Sequence, residues 1–205
     1  MAKQAEITLK HYQKNFKKYG VDPKSLSWGS RGAAHQRFRA MWKEIDFNGK
    51  SVLDVGCGFG EMAKFLHKRY EGVKYTGVDI VPEFVAQAKK DHPYYEFMEL
   101  DYFSNPLKEK FDVVMASGTL NSQLNKGNME FRKKAIKVMF EHSKKACIFN
   151  MLGGHPQPET PEDSNIWYAD SLEILEYCMS LTRRVVLRAE YHPKDFTIVM
   201  YPVKV

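Results

Sequence analysis

The chain contains no apolar run approaching the roughly 18 residues that a membrane-spanning helix requires. Its N-terminus, Met1-Ala-Lys-Gln-Ala-Glu-Ile, lacks the apolar stretch of a secretory signal, so the expected address is cytoplasmic. It has only three cysteines, Cys57, Cys147 and Cys178, and no pair has zinc-ligand or redox spacing. That excludes a disulfide scaffold or a zinc ribbon; free thiols are expected, and no metal. Internal repeats and low-complexity tracts are also missing. What remains is an ordinary globular composition, 43% apolar and 27% charged, and 205 residues are enough for one well-packed domain.

The net charge is +6. The basic residues gather in two places: Lys10, Lys14, Lys17 and Lys18, then Lys126, Arg132, Lys133, Lys134, Lys137, Lys144 and Lys145. Both groups fall on segments with helical periodicity. A solvated helix face and a surface for an anionic partner account for them equally.

Two amphipathic helices are expected first, over residues 5–19 and 33–45, separated by loop signals at Asp22-Pro23 and Ser27-Trp28-Gly29-Ser30. From Ser51 onward strands and helices alternate. Strands are expected at Ser51–Val55, 75–79, 95–101, Phe111–Ser117 and 146–151, with helices after the first, second and fourth of them. Pro82 suits the first turn of a helix, where its missing N–H costs nothing. Residues 152–168, rich in glycine and proline, read as a long loop. Asp170 and Glu173 have capping-box spacing before a helix ending near residue 180, and strands follow at 183–190 and 196–203. The short connection between those last two permits only an antiparallel hairpin.

This rhythm predicts a doubly wound α/β fold. Its sheet is mostly parallel and seven-stranded, with an antiparallel last strand and helices on both faces. Residues 1–48 form an N-terminal helical cap, and residues 49–205 the core.

The strongest local signal is Asp54-Val55-Gly56-Cys57-Gly58-Phe59-Gly60-Glu61. A buried strand runs into a glycine turn that lets a ligand approach backbone, and a helix then opens with free N–H groups. A dinucleotide fingerprint needs its third glycine one residue later. Glu61 also puts negative charge where a pyrophosphate would sit. A phosphate-free, cationic nucleoside suits this turn better.

These residues resemble motif I, (D/E)-x-G-x-G-x-G, of the class I, Rossmann-like S-adenosylmethionine-dependent methyltransferases, with Asp54, Gly56, Gly58 and Gly60 at its defined positions. The resemblance continues in register over about residues 48–203. It implies that Asp79, ending the second strand, holds the ribose hydroxyls with Ile80 beside it. It places Asp101 and Tyr102 at the adenine and Ser117 by the methionine moiety. It also implies a cation for the methionine carboxylate, for which Arg37 and Arg31 are candidates, and a cover over the pocket mouth by Trp28 and Gly29. The structural alternative is that the aspartates cap turns, Arg37 lies on the surface and Trp28 packs the helix pair.

The cofactor carries the hard chemistry of methyl transfer, so no fixed catalytic constellation is required. The fourth strand leads into Ala116-Ser117-Gly118-Thr119, not the (D/N/S)-P-P-(Y/F) of nucleobase and glutamine amino methyltransferases, nor a Pro-Cys nucleophile. These absences favour a small-molecule O or N acceptor. RNA or protein methylation through the basic helices and a non-catalytic cofactor-binding subunit are the alternatives. His155 in the 152–168 loop is the leading general-base candidate, followed by His11 and Tyr12; Asn121 and Gln123 could orient the acceptor.

Overall fold

The computed structural model describes every residue except Met1, Gly29, Ser30, Asn125, Glu162, Asp163, Lys204 and Val205. Helix α1 (Ala2–Tyr19), a 3-10 helix (Pro23–Leu26) and α2 (Arg31–Trp42) precede the sheet. The core then runs β1 (Ser51–Val55), α3 (Glu61–His67), β2 (Lys74–Asp79), α4 (Pro82–Asp91), β3 (Glu96–Glu99), β4 (Phe111–Ser117) and α5 (Asn128–His142). It ends with β5 (Ser143–Gly154), β6 (Ala169–Asp170), α6 (Ser171–Leu181), β7 (Val185–Arg188) and β8 (Asp195–Met200). Among the described residues no helix is long and apolar enough to cross a membrane.

The main sheet has the order β3-β2-β1-β4-β5-β8-β7. The pairs β1–β2, β1–β4, β2–β3 and β4–β5 are parallel, and β8 lies antiparallel to both β5 and β7. This is the expected seven-stranded mixed sheet. The central strands are buried on both faces, which is why β1 and β4 read as nearly continuous apolar runs and their bounds match the expected ones. β3 is shorter than expected because the chain turns at Asp101, whose carbonyl accepts from the N–H groups of Ser104 and Asn105.

The 152–168 segment is less of a free loop than expected. β5 runs on to Gly154, and the two-residue β6 pairs beside its end. Residues 165–167 pair with the segment after β4: Gln123 N–H donates to Asn165 O at 2.8 Å and Trp167 N–H to Asn121 O at 2.8 Å. Asp170 caps α6, its carboxylate accepting from the N–H groups of Leu172 and Glu173.

One basic residue departs from the expected solvated face. Arg132 is fully buried, because the inward row of α5 passes through Arg132, Ala135, Ile136 and Met139. Its Nε donates to Leu120 O at 3.0 Å, Nη2 donates to Ser122 O, and Nη1 donates to Asn128 O and Oδ1. Its guanidinium lies 4.7 Å from the Trp167 ring centroid. Arg132 thus clamps both limbs of the 121–123/165–167 pairing. Burial lowers its pKa to about 9. Lys10, Lys14, Lys17 and Lys18 are exposed, as the solvated-face reading requires.

Helix α1 lies across the start of α4 and the glycine turn. Phe16 packs against Phe59 and Phe84 at centroid distances of 6.1 and 5.9 Å, and Tyr12 meets Phe84 edge-on at 5.9 Å. Gln13 reaches Glu83 at 3.0 Å. α2 inserts Phe38 and Met41 into the core on the other side of the cavity.

Candidate functional site

In this strand order the chain leaves β1 toward β2 on one side and β4 lies on the other. The crevice outside the carboxyl ends of β1 and β4 is therefore the switch point where open α/β sheets bind ligands. Three cavities meet there. A narrow one of about 90 Å³ is lined by Gly56, Gly58, Asp79, Ile80, Ser117 and Thr119, with Tyr12, Leu26 and Trp28 from the N-terminal segment. A second, about 70 Å³, is lined by Ile80, Asp101, Phe103 and Ser104. The third, about 320 Å³, lies between the N-terminal helices and the 121–123/165–167 pairing. The first shares Thr8 and Ser122 with both of the others.

The glycine turn is built by close approach. Gly56 and Gly58 have φ of +75° and +54°. A Cβ on Gly56 would strike the Thr119 side chain, and one on Gly58 would stand 2.9 Å from Leu26 Cδ2. Thr119 holds its place by donating its hydroxyl to Val55 O at 2.7 Å. Neither Thr119 nor Leu26 was among the residues singled out from the sequence. Only their fit over the glycines marks them.

Asp79 is buried beside this turn. Its carboxylate accepts from Gly58 N–H at 2.9 Å and from Val81 N–H at 3.0 Å, and it still lines the narrow cavity. Burial raises its pKa to about 6 against the opposing pull of those N–H groups. Asp54 is also buried, but behind the turn and not on any of the three cavity walls. It accepts from the Tyr75 hydroxyl at 2.5 Å, and burial raises its pKa to about 7.

These two carboxylates set a pH dependence. Each has a folded pKa above its unfolded value of 3.8, so the folded state binds more protons between the two values. The stability these two contribute is full below about pH 4 and is lost as pH rises to about 7, by roughly 2–4 kcal/mol for Asp54 alone. Asp54→Asn keeps an acceptor for Tyr75 and cannot ionise. Its denaturation midpoint relative to the parent should climb between pH 4.5 and 7.5. A difference that stays constant with pH would contradict the assignment.

The remaining candidate residues fall as follows. Ile80 and Asp101 line the cavities, and Tyr102 is buried against Phe103 and His142 with its hydroxyl unpartnered among the described residues. Ser117 lines the narrow cavity and its hydroxyl is likewise unpartnered. Trp28 lines two cavities and also packs edge-on against Phe38 at 6.2 Å. Gly29 and the Arg31 side chain lie outside the described residues.

Arg37 is not a surface residue. It lines the large cavity, and its Nε donates to Asp195 Oδ2 at 2.7 Å. Asn121 lines the same wall; its Oδ1 accepts from Leu152 N–H, and Gln123 lies beside it. His155 is not brought to any of these walls. It is half exposed, with Nδ1 3.1 Å from the α6-capping Asp170. His11 and Tyr12 do line the large cavity. His11 Nε2 lies 3.2 Å from Asn15 Nδ2 and 3.5 Å from Ser27 Oγ. Burial, then the charge of Lys14, lowers the His11 pKa, and burial beside Asp79 raises that of Tyr12 to about 12.

The donor set fits a phosphate-free nucleoside. The two narrow cavities carry Asp79 and Asp101 and no lysine or arginine among their described lining residues. A carboxylate accepts hydroxyl and amino hydrogens but repels a diphosphate.

Comparisons with known proteins agree. Residues 52–144 match the methyltransferase domain family model. The chain is 30% identical over 91 residues to trans-aconitate 2-methyltransferase of Escherichia coli O157:H7, covering 44% of this chain and 34% of that protein. The match thus spans about a third of that relative's length. It is 25% identical over 155 residues to the Mycobacterium tuberculosis protein Rv1506c, which carries a methyltransferase name, covering 73% of this chain and 92% of that one. Among solved structures, DhpI with S-adenosylhomocysteine superposes with a TM-score of 0.68 at 19% identity, covering 95% of each chain. The N-methyltransferase NodS of Bradyrhizobium japonicum, also with S-adenosylhomocysteine, gives 0.67 at 13% identity, covering 96% of this chain and 99% of that one. These two likenesses bear on the fold.

Proposed function

As the chain belongs to the class I, Rossmann-like S-adenosylmethionine-dependent methyltransferases, we propose that it methylates an oxygen or nitrogen of a small molecule held in the large cavity. The observation that carries this is that the cavity adjoins the two narrow ones, Thr8 and Ser122 lining all three. Residues 1–48 serve as the cap that closes the cofactor site, with Tyr12, Leu26 and Trp28 as its contacts.

Within this reading Asp79 accepts the ribose hydroxyls, Ile80 flanks the adenine and Asp101 receives its amino group, while Tyr102, expected beside the adenine, stays in the core behind them against Phe103 and His142. Gly56, Gly58 and Ser117 border the methionine arm, and Asp54 lies behind the turn, held by the Tyr75 hydroxyl. Arg37 faces the methionine carboxylate. The bound cofactor supplies an activated methyl group; the chain's residues align the acceptor and exclude water. Where the acceptor must lose a proton, His11 on the cavity wall is better placed than His155 to receive it.

A small acceptor is favoured over RNA because the cavity's described lining contains no lysine and a single arginine, which this reading gives to the cofactor's carboxylate. The test measures S-adenosylhomocysteine release from S-adenosylmethionine with three acceptor sets: small hydroxy acids and amines, RNA, and protein extract. Turnover with a small molecule is expected. Release stimulated by RNA and falling steeply with salt would replace this reading. Tight cofactor binding without turnover on any set would favour a non-catalytic subunit.

A further inference from the structure

Asp195 belongs to the hairpin at the end of the chain, far in sequence from the glycine turn, and it read as a turn residue. It opens β8 instead and is 3% exposed. Oδ2 accepts from Arg37 Nε at 2.7 Å, while Oδ1 accepts from the Tyr191 hydroxyl at 2.6 Å and from Asn150 Nδ2 at 3.1 Å. Asn150 is fully buried on β5, and its Oδ1 accepts from Gly118 N–H at 2.7 Å, just past β4. One connected set of bonds therefore runs from α2 through β8 and β5 to the cavity floor.

Asp195 engages Arg37 through Nε, and among the described residues no partner is recorded for Nη1 or Nη2. Nη1 stands 3.8 Å from the position a Cβ on Gly118 would take. A guanidinium gripped at one corner keeps a pair of donors in fixed orientation. The Arg37–Asp195 pair is neutral as a whole, so it can meet a zwitterionic amino-acid end without leaving net positive charge near a sulfonium.

Resting on the cofactor reading above, we infer that Asp195 is a positioning residue: it aims the Arg37 guanidinium at the carboxylate of the cofactor's methionine end, tying the C-terminal hairpin to cofactor selection. Tyr191 and Asn150 hold Asp195, and removing its charge frees Arg37 to swing.

The probes are S-adenosylhomocysteine and 5′-methylthioadenosine, which shares the nucleoside and sulfur but has no amino-acid end. Calorimetry on the full chain should show Asp195→Asn weakening S-adenosylhomocysteine about tenfold or more, the worth of one charge-assisted hydrogen bond, and methylthioadenosine less than about twofold. Arg37→Gln should give the same split, and the double variant should bind no worse than Arg37→Gln alone. Tyr191→Phe, a milder change, should give a smaller loss in the same direction. Equal losses for both ligands would make Asp195 merely structural and overturn the inference, as would unchanged S-adenosylhomocysteine affinity or additive losses in the double variant. If the parent chain binds neither nucleoside, the cofactor reading falls first and this inference with it.

Discussion

Gly58→Val should abolish measurable S-adenosylhomocysteine binding while leaving a folded protein. Three effects converge at this position. The backbone sits at φ +54°, where a β-branched residue costs about 1–3 kcal/mol. The new Cβ would stand 2.9 Å from Leu26 Cδ2, so the Leu26 side chain must give way over the turn. The added methyl groups also enter a cavity of only about 90 Å³ that the ligand needs. Overpacking and strain together should lower stability by about 2–4 kcal/mol. In a chain of this size that lowers the melting temperature by roughly 4–16 °C, leaving the fold intact at room temperature. Calorimetry should show at least a hundredfold loss of affinity, about 2.7 kcal/mol or more. Gly58→Ala, which lacks the branch, should bind detectably. Affinity within threefold of the parent for Gly58→Val would mean the ligand does not press on this turn.

Asp79→Ala should weaken S-adenosylhomocysteine by about 1.5–3 kcal/mol, the range for hydrogen bonds to a charged group. Because Asp79 already accepts from Gly58 and Val81, the same substitution strips two backbone N–H groups of their partner. A drop in stability should therefore accompany the loss of affinity. The pH dependence separates the two. Ribose hydroxyls are best received by the ionised carboxylate, and burial holds the pKa of Asp79 at about 6 in the free chain. Affinity in the parent should rise as pH increases from 5 to 7.5 and level off above. In Asp79→Asn the contribution of this group to that rise should vanish. An Asp79→Ala variant with parental affinity would place the ribose elsewhere.

The glycine turn and the aspartates closing β2 and β3 could be read directly from the chain because their chemistry is local. A parallel strand buried on both faces shows as an apolar run, and a turn pressed against its neighbours shows as glycine. The alternation of strands and helices carried the topology too, since short connections and right-handed crossovers leave few arrangements open. That His155, the leading base candidate, lies off the cavity walls could not be read from the chain, for an equally physical reason. A histidine in a proline-rich loop has no periodicity to say which way it faces, and here it lies beside the cap of α6. Arg132 was misread with the lysines around it because charge alone does not show that a helix turns that position inward.

The chain's own pattern encodes the sheet, its order of elements and a glycine turn followed by two carboxylates, because repeating burial and obligatory glycines leave their mark within a few residues. Tertiary structure alone decided that Asp195 meets Arg37, that Thr119 and Leu26 close over the glycines, and that His11 faces the large cavity. Those contacts join segments up to 158 positions apart. No spacing along the chain records them, since they depend on how α1, α2 and the final hairpin pack around the carboxyl edge of the sheet.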